Sequence, residues 1–515
     1  MSGTMDRRHL LRLGGAMGLL GAGAPFALQL AAAGSAAGQS APDYRALVCV
    51  FLFGGNDAHN MVLATDQDSW TRYFNTRNTG TDPIALMSAG TPPTPVGQTS
   101  PVTGRVSDLL SPEAWGGVLP ITPRTAQRIP EGTNAAQRTF ALHPFMAPVQ
   151  SLFNSGRLAV LANVGTLIQP TSKAQYQARS VTLPSSLFSH NDQQSTWQAL
   201  SQEGARTGWG GRFADLMASM NGTSTLFTAV SAAGNAVFLS GQSVVQYQLS
   251  TGAQPAVVIS SQQGSTLFGS SQGPAAVRSL ITDTSAANNF AADYATTVGR
   301  SIGAASTVNA AFTQQIVTGV PTAPAYTNQL LQRVETNSLA LQLQTVARMI
   351  AASQILGVRR QVFFVSLGGW DTHDQQNAVQ PNLLAKVAHA LSYFDGALSN
   401  IGGVDRRSQV TTFTASDFGR SFTTNSDGTD HAWGAHHLIM GGAVNGGDIY
   451  GQYPTLGADV NGFNNPDNVG GALIPTTSVD QYGATLGRWF GVSDADIDVI
   501  FPRVRNFNTR YLNFV

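Results

Sequence analysis

The sequence predicts an α/β fold, a three-layer α/β/α sandwich around a mostly parallel central sheet. Three observations lead there. Four apolar runs rich in β-branched residues, Arg45–Phe53, Arg157–Asn163, Gln361–Leu367 and Gln409–Ala415, have the near-continuous hydrophobicity of strands buried on both faces. Three of them break at once into turn formers and acidic or imidazole side chains: Gly54-Gly55 with Asp57, Gly368-Gly369 with Asp371, and Ser416-Asp417 with Gly419. A helix-periodic stretch stands between the last two runs, and strand, helix, strand is most simply a right-handed crossover. The ends carrying Asp371 and Asp417 should then lie on one side of the sheet and close together, at the edge where open α/β sheets form their ligand crevice.

Taken in order, Met1 to about Ala37 reads as an export signal. Arg7 and Arg8 precede an apolar run from Leu10 to Ala33, and small residues follow at Ser35 and Ala37. The paired arginines point to the twin-arginine route, which predicts a periplasmic or secreted protein with no transmembrane anchor once the signal is removed. Residues 38–515 read as one domain, with a Thr-, Pro- and Gly-rich excursion over about 75–138 and a β-ribbon over about 223–273. His143–Ser155 reads as a helix and Arg157–Asn163 as the second buried strand.

In Leu187–Leu200, Ser189 has the type and position of an N-cap, with Asp192 three residues on. A hydroxyl at a helix start also meets free N–H groups, as a nucleophile would; the cap is the stronger reading of Ser189 alone, and His190 beside it narrows the gap. Ala286–Thr318 is Ala/Thr-rich and reads as helix. Over Gln329–Leu356, Leu339, Leu343, Val346 and Ile350 recur at helical spacing before Gly357. Leu383, Val387, Leu391, Phe394 and Leu398 mark a further amphipathic helix, and Ser478–Val492 closes the pattern.

Composition narrows the function. Charged residues make up 11% of the chain and the formal net charge is zero, against about 25% charged residues in an ordinary soluble protein. That excludes a nucleic-acid or polybasic membrane partner. The one cysteine, Cys49, lies inside the first strand, so no intrachain disulfide can form.

Chemistry concentrates between Gln409 and Val444. Asp417, Arg420, Asp430, His431, His436 and His437 follow one another there, and three of the nine histidines fall within seven positions. Any one of them is at home as a turn former, cap or core residue. Together with Asp57, Asp371 and His373 at other strand ends, they supply the oxygen and nitrogen donors that divalent metals take.

Through FLFGGND, LFSHNDQQ, GGWDTH, SDFGR, GTDHAWG and SVDQYGATLGRWFG, nearly the whole chain after the signal resembles the alkaline phosphatase and sulfatase superfamily. More closely it resembles a bacterial twin-arginine-exported family of unknown function placed near that superfamily. The resemblance implies a dinuclear site for zinc, calcium, magnesium or manganese, with Asp57, Asp371, His373, Asp417, Asp430, His431 and His436 as metal ligands. It also implies Ser189 as nucleophile, assisted by His190, and Arg420 as an oxyanion clamp. The superfamily spaces its Asp and His ligands by three residues, whereas only Thr372 separates Asp371 from His373. Its later Asp-His pair reads Asp417-Phe418 here, and such a pair returns only at Asp430-His431. The formylglycine signature of sulfatases is absent. Two functions follow as expectations: a metal-dependent hydrolase of phosphate or related esters with a small ester substrate, or a non-catalytic envelope protein that keeps the fold and binds an exported protein partner. Four carboxylates brought together at strand ends would demand a compensating cation.

Overall fold

The strand Arg45–Phe53 (β1) is the centre of the molecule. Its side chains alternate between two apolar cores: Ala46, Val48, Val50 and Leu52 enter one, Leu47, Cys49 and Phe51 the other. A strand buried on both faces needs helices on both, and that layering follows in the computed structural model of the protein, which describes residues 44–134, 137–222, 224–252, 256, 265–285, 288–459 and 463–515.

The sheet adds Leu158–Gly165 (β2), Ala229–Ser231 (β3), Tyr247–Gln248 (β4), Arg360–Gly368 (β5) and Val410–Ser416 (β6). A hairpin of Arg420–Thr424 (β7) and Thr429–His431 (β8) follows, then Ala435–Gly441 (β9), Ile449–Tyr450 (β10) and Thr477–Ser478 (β11). The order is β10-β2-β9-β6-β1-β5-β3-β4, with β11 also pairing β2. All pairings within it are parallel except those of β9, which runs antiparallel to both β6 and β2. This is an α/β fold with a mixed, largely parallel sheet flanked by helices.

The helices that frame the site and the cores include Gln67–Arg77 (α1), His190–Ala199 (α2), Trp209–Met217 (α3), Ser338–Ala351 (α4), Gln376–Leu398 (α5) and Val479–Phe490 (α6). Leu339, Leu343, Val346 and Ile350 of α4 pack with Leu384, Val387, Leu391 and Phe394 of α5 in the first core. Trp197 of α2, Phe213 of α3 and Tyr482, Leu486 and Phe490 of α6 fill the second.

Several sequence expectations change in detail. The helix expected over Gln329–Leu356 is shorter, because the Asn337 side chain accepts from the Ala340 N–H and caps α4, while Tyr326–Asn328 and Arg333–Glu335 pair ahead of it. The crossover through α5 joins strands that are not neighbours: β1 lies between β5 and β6 and pairs with both. The excursion after α1 contributes Leu119–Ile121, which joins Val62–Ala64 and Phe140–Leu142 in a small separate sheet. In the β-ribbon region, the described residues include the strands β3 and β4 and the 3₁₀ turn Val237–Leu239. The export signal lies outside the described residues. Among these, no helix is long and apolar enough to cross a membrane.

Candidate metal centre

The carboxyl ends of β1, β5 and β6 converge, and the backbone there is interlocked. Gly54 follows β1 with φ +120°, and a Cβ on it would collide with the backbone nitrogen of Asp371. The loop after β5 thus crosses directly over the loop after β1, with the Trp370 N–H donating to Phe53 O at 3.1 Å. Because β9 runs antiparallel, the chain entering it returns to this same edge. The β7–β8 hairpin that precedes β9 holds Thr429 against Thr372 through a backbone hydrogen bond of 3.1 Å. Asp371, His373, Asp417, Asp430 and His431 are gathered in this way, and α2 adds His190.

Three ligand atoms, one each from His190, Asp371 and His431, lie within 4.8 Å of one another. The protonation pattern of the imidazoles follows from their outer partners. His431 Nδ1 is 2.7 Å from the carbonyl of Phe188, which can only accept, so Nδ1 carries the proton. His190 Nδ1 is 2.7 Å from Asp417 Oδ2 and donates to that carboxylate. In the neutral rings both Nε2 atoms therefore bear lone pairs, and they sit 3.4 Å (His190) and 3.5 Å (His431) from Asp371 Oδ1. The His190 Nε2 atom is buried without a hydrogen-bond partner among the described residues. Lone pairs converging on a carboxylate oxygen, each imidazole held from behind by a carboxylate or carbonyl, make this a candidate metal-coordinating cluster.

Charge is distributed unevenly across the cluster. The hydrogen bond to Asp417 raises the His190 imidazole above its ordinary pKa, against the opposing effect of burial. Burial holds His431 below its ordinary value, and the neighbouring His190, Arg420 and His373 add to that, outweighing the Phe188 carbonyl. Burial alone would raise Asp371, but the hydrogen-bonded Arg420 guanidinium outweighs it and keeps the carboxyl below its usual range. His373 Nε2 lies 2.8 Å from His431 Nε2 and 3.2 Å from Asp371 Oδ1. With His431 Nε2 an acceptor, His373 must be the donor, so its proton stands where a cation would. On the solvent side His373 Nδ1 faces Asp430 Oδ1 at 3.3 Å.

The structure gives other expected residues different partners. Asp57 is fully buried and paired with Arg77 at 2.5 and 3.0 Å, and Gln376 donates to it at 2.7 Å. His436 is buried against Tyr453, its Nδ1 accepts the Asn163 N–H at 3.0 Å, and its Nε2 therefore carries the proton. Asp417 Oδ2 takes the Gly54 N–H at 3.1 Å and Gln194 at 2.8 Å in addition to His190. Arg420 is bound to Asp371 at 2.6 Å, to Gly54 O at 3.2 Å and to the Thr429 carbonyl. The Ser189 hydroxyl donates to Asp192 at 3.0 Å and does not cap α2. Of the four carboxylates expected to share a cation, Asp57 is neutralised by Arg77 and Asp371 by Arg420, while buried Asp417 keeps one oxygen without a hydrogen-bond partner among the described residues. The candidate cation position is marked by the imidazole nitrogens gathered around Asp371 Oδ1.

The sequence offers His190 as a catalytic partner of Ser189, and the structure adds it to the cluster as a donor. The sequence assigns no role to Arg77, Gln194 or the Phe188 carbonyl. The one available signal was the position of His190 as the first residue of a helix beside the other strand-end histidines. The Phe188 carbonyl depends on a backbone φ of 73°, rare for a bulky residue and without any signature in the side-chain order.

No curated protein matches the chain. A family model described as "Protein of unknown function (DUF1501)" matches residues 44–501, from the start of β1 to beyond α6, and the chain therefore belongs to the DUF1501 family.

Proposed function

We propose that the protein is an exported metal-dependent hydrolase of phosphate or related esters, with an alkaline-phosphatase-like fold and one divalent metal held by His190, Asp371 and His431. The observation that carries the proposal is the convergence of the two Nε2 lone pairs with the Asp371 carboxylate at the open edge of the sheet. Two imidazoles and one carboxylate favour zinc or manganese over calcium and magnesium, which prefer all-oxygen shells. Such an ion supplies Lewis-acid polarisation of an ester oxygen and acidifies water. Asp371 is 47% exposed, so substrate reaches the centre from solvent. His373 stands between His431 and Asp430 beside that centre, and Arg420 keeps Asp371 ionised. The N–H groups of the first turn of α2 carry no side-chain cap and are available to an anion at that helix start. Ser189, turned to Asp192, serves as nucleophile only after rotating, so water is the preferred nucleophile.

The test is elemental analysis and ester hydrolysis on wild type, Asp371→Ala, His431→Ala and Ser189→Ala. About one metal per chain is expected in wild type and Ser189→Ala, with occupancy lost in the other two and activity down at least about 100-fold. A wild-type protein that binds no metal after zinc or manganese loading refutes the site. Metal without activity on phosphomonoesters, phosphodiesters or sulfate esters refutes the hydrolase. Replacing Arg7 and Arg8 with lysine is expected to block export, and unchanged fractionation would exclude the twin-arginine route.

The second reading, a protein that binds an exported partner, draws on a different region. Leu280 on the helix Gly273–Ile281, and Phe290 and Tyr294 at the start of the helix Asn289–Phe312, are 76%, 86% and 66% exposed. An apolar partner surface would rest on these side chains if they are covered together.

A further inference from the structure

On the β10/β11 flank of the sheet, a cavity of about 490 Å³ lies between the strand ends at Gly451 and Thr477 and the C-terminal segment 507–513. Ligand cavities span about 300–1,000 Å³, so there is room here for a small molecule of several rings. No residue lining it is charged. Gln452, Thr476, Asn508 and Thr509 bring amide and hydroxyl groups, while Phe507 and Tyr511 bring aromatic rings. Gln452 and Asn508 are exposed, and no hydrogen bond among the described residues uses their side-chain amides. A smaller cavity of about 180 Å³ continues past Tyr511 and Asn513 to Trp489.

The lining decides the ligand class. An anion would find no cation lining the larger cavity; Arg488 lines the smaller one, stacked 4.5 Å from the Tyr511 ring, and Arg510 is bound to Asp498 and the Asp494 carbonyl. A wholly apolar ligand would bury the amides of Gln452 and Asn508 without partners, which is costly. Neutral amides and hydroxyls that both donate and accept, set beside aromatic faces, match a molecule with hydroxyl groups around its rim and C–H groups on its faces. We infer that this cavity binds a neutral saccharide. Phe507 ties it to the rest of the molecule, since it packs on the Leu167, Trp433 and Ile474 cluster, as does Phe188 in the turn before α2. The inference stands independently of the metal centre.

The test titrates the full chain with cellotetraose, maltotetraose and N-acetylchitotetraose, followed by calorimetry and by tryptophan emission, to which Trp489 contributes. Inorganic phosphate and tetraalanine are the controls. At least one of the sugars is expected to bind saturably, and the double substitution Gln452→Ala with Asn508→Ala is expected to weaken it at least about tenfold. Both side chains are exposed, so the melting temperature should not move. No binding by any of the three sugars would overturn the inference, as would sugar binding unaffected by the double substitution. Binding of phosphate or tetraalanine in place of sugar, sensitive to the same substitutions, would also overturn it by identifying an anion or peptide site.

Discussion

Asp57 shows how a single side chain can have the right motif and a different task. FLFGGND delivers it to the sheet edge, but Arg77 from α1 reaches it, and both groups are fully buried. Removing one member of a buried ion pair strands the other charge, so Asp57→Ala should cost about 3–5 kcal/mol in urea unfolding. Metal content at His190, Asp371 and His431 should stay unchanged, and loss of metal with preserved stability would return Asp57 to the site. Asp480 provides the pH dependence. Burial raises its pKa to about 6, against Arg503, and one of its oxygens has no hydrogen-bond partner among the described residues. A carboxyl raised from its ordinary value near 3.8 favours the folded state while protonated. That contribution is complete below about pH 4 and is lost as the pH rises through about 6, a change of roughly 3 kcal/mol. Asp480→Asn should therefore be more stable than wild type above pH 7 and equal to it near pH 4. Parallel denaturation curves at both pH values would contradict this. The sequence marks Asp480 as structural at most and gives no sign of Arg77, because both roles depend on burial, which residue type alone does not reveal.

At the scale of elements, the strands were readable and their neighbours were not. β1, β5 and β6 announce themselves because strands buried on both faces must be apolar throughout. The insertion of β1 between β5 and β6 leaves no local trace, since pairing is set by packing across hundreds of residues. The antiparallel direction of β9 was equally silent, yet it is what returns His431 to the edge where Asp371 lies. The same edge depends on the crossing at Gly54. Gly54→Ala should destabilise the protein by about 3 kcal/mol, from overpacking against Asp371 and a strained φ. It should also lower metal affinity, because the Asp371 backbone must shift. Calorimetry with zinc on the folded variant checks the second effect; wild-type affinity would mean that the crossing does not position the ligand.

For the whole molecule, the three candidate ligands come from residues 190, 371 and 431, so the centre exists only when the sheet edge, α2 and the β7–β8 hairpin have assembled. A metal bound there favours the native state alone. At about 100 times its Kd it should add roughly 2.7 kcal/mol and raise Tm by a few degrees, reversed by chelation. An unchanged Tm across saturating zinc or manganese would argue that the site is empty in solution. Cys49 supplies an independent view of the same assembly. It is the only thiol in the chain, 2% exposed, and set in the middle of β1 with Phe364 on one side and Phe413 on the other. A thiol reagent can reach it only when the sheet opens at its centre. The protein thus carries a built-in clock, and its labelling rate, timed with and without metal, reports whether events at the rim are felt at the axis.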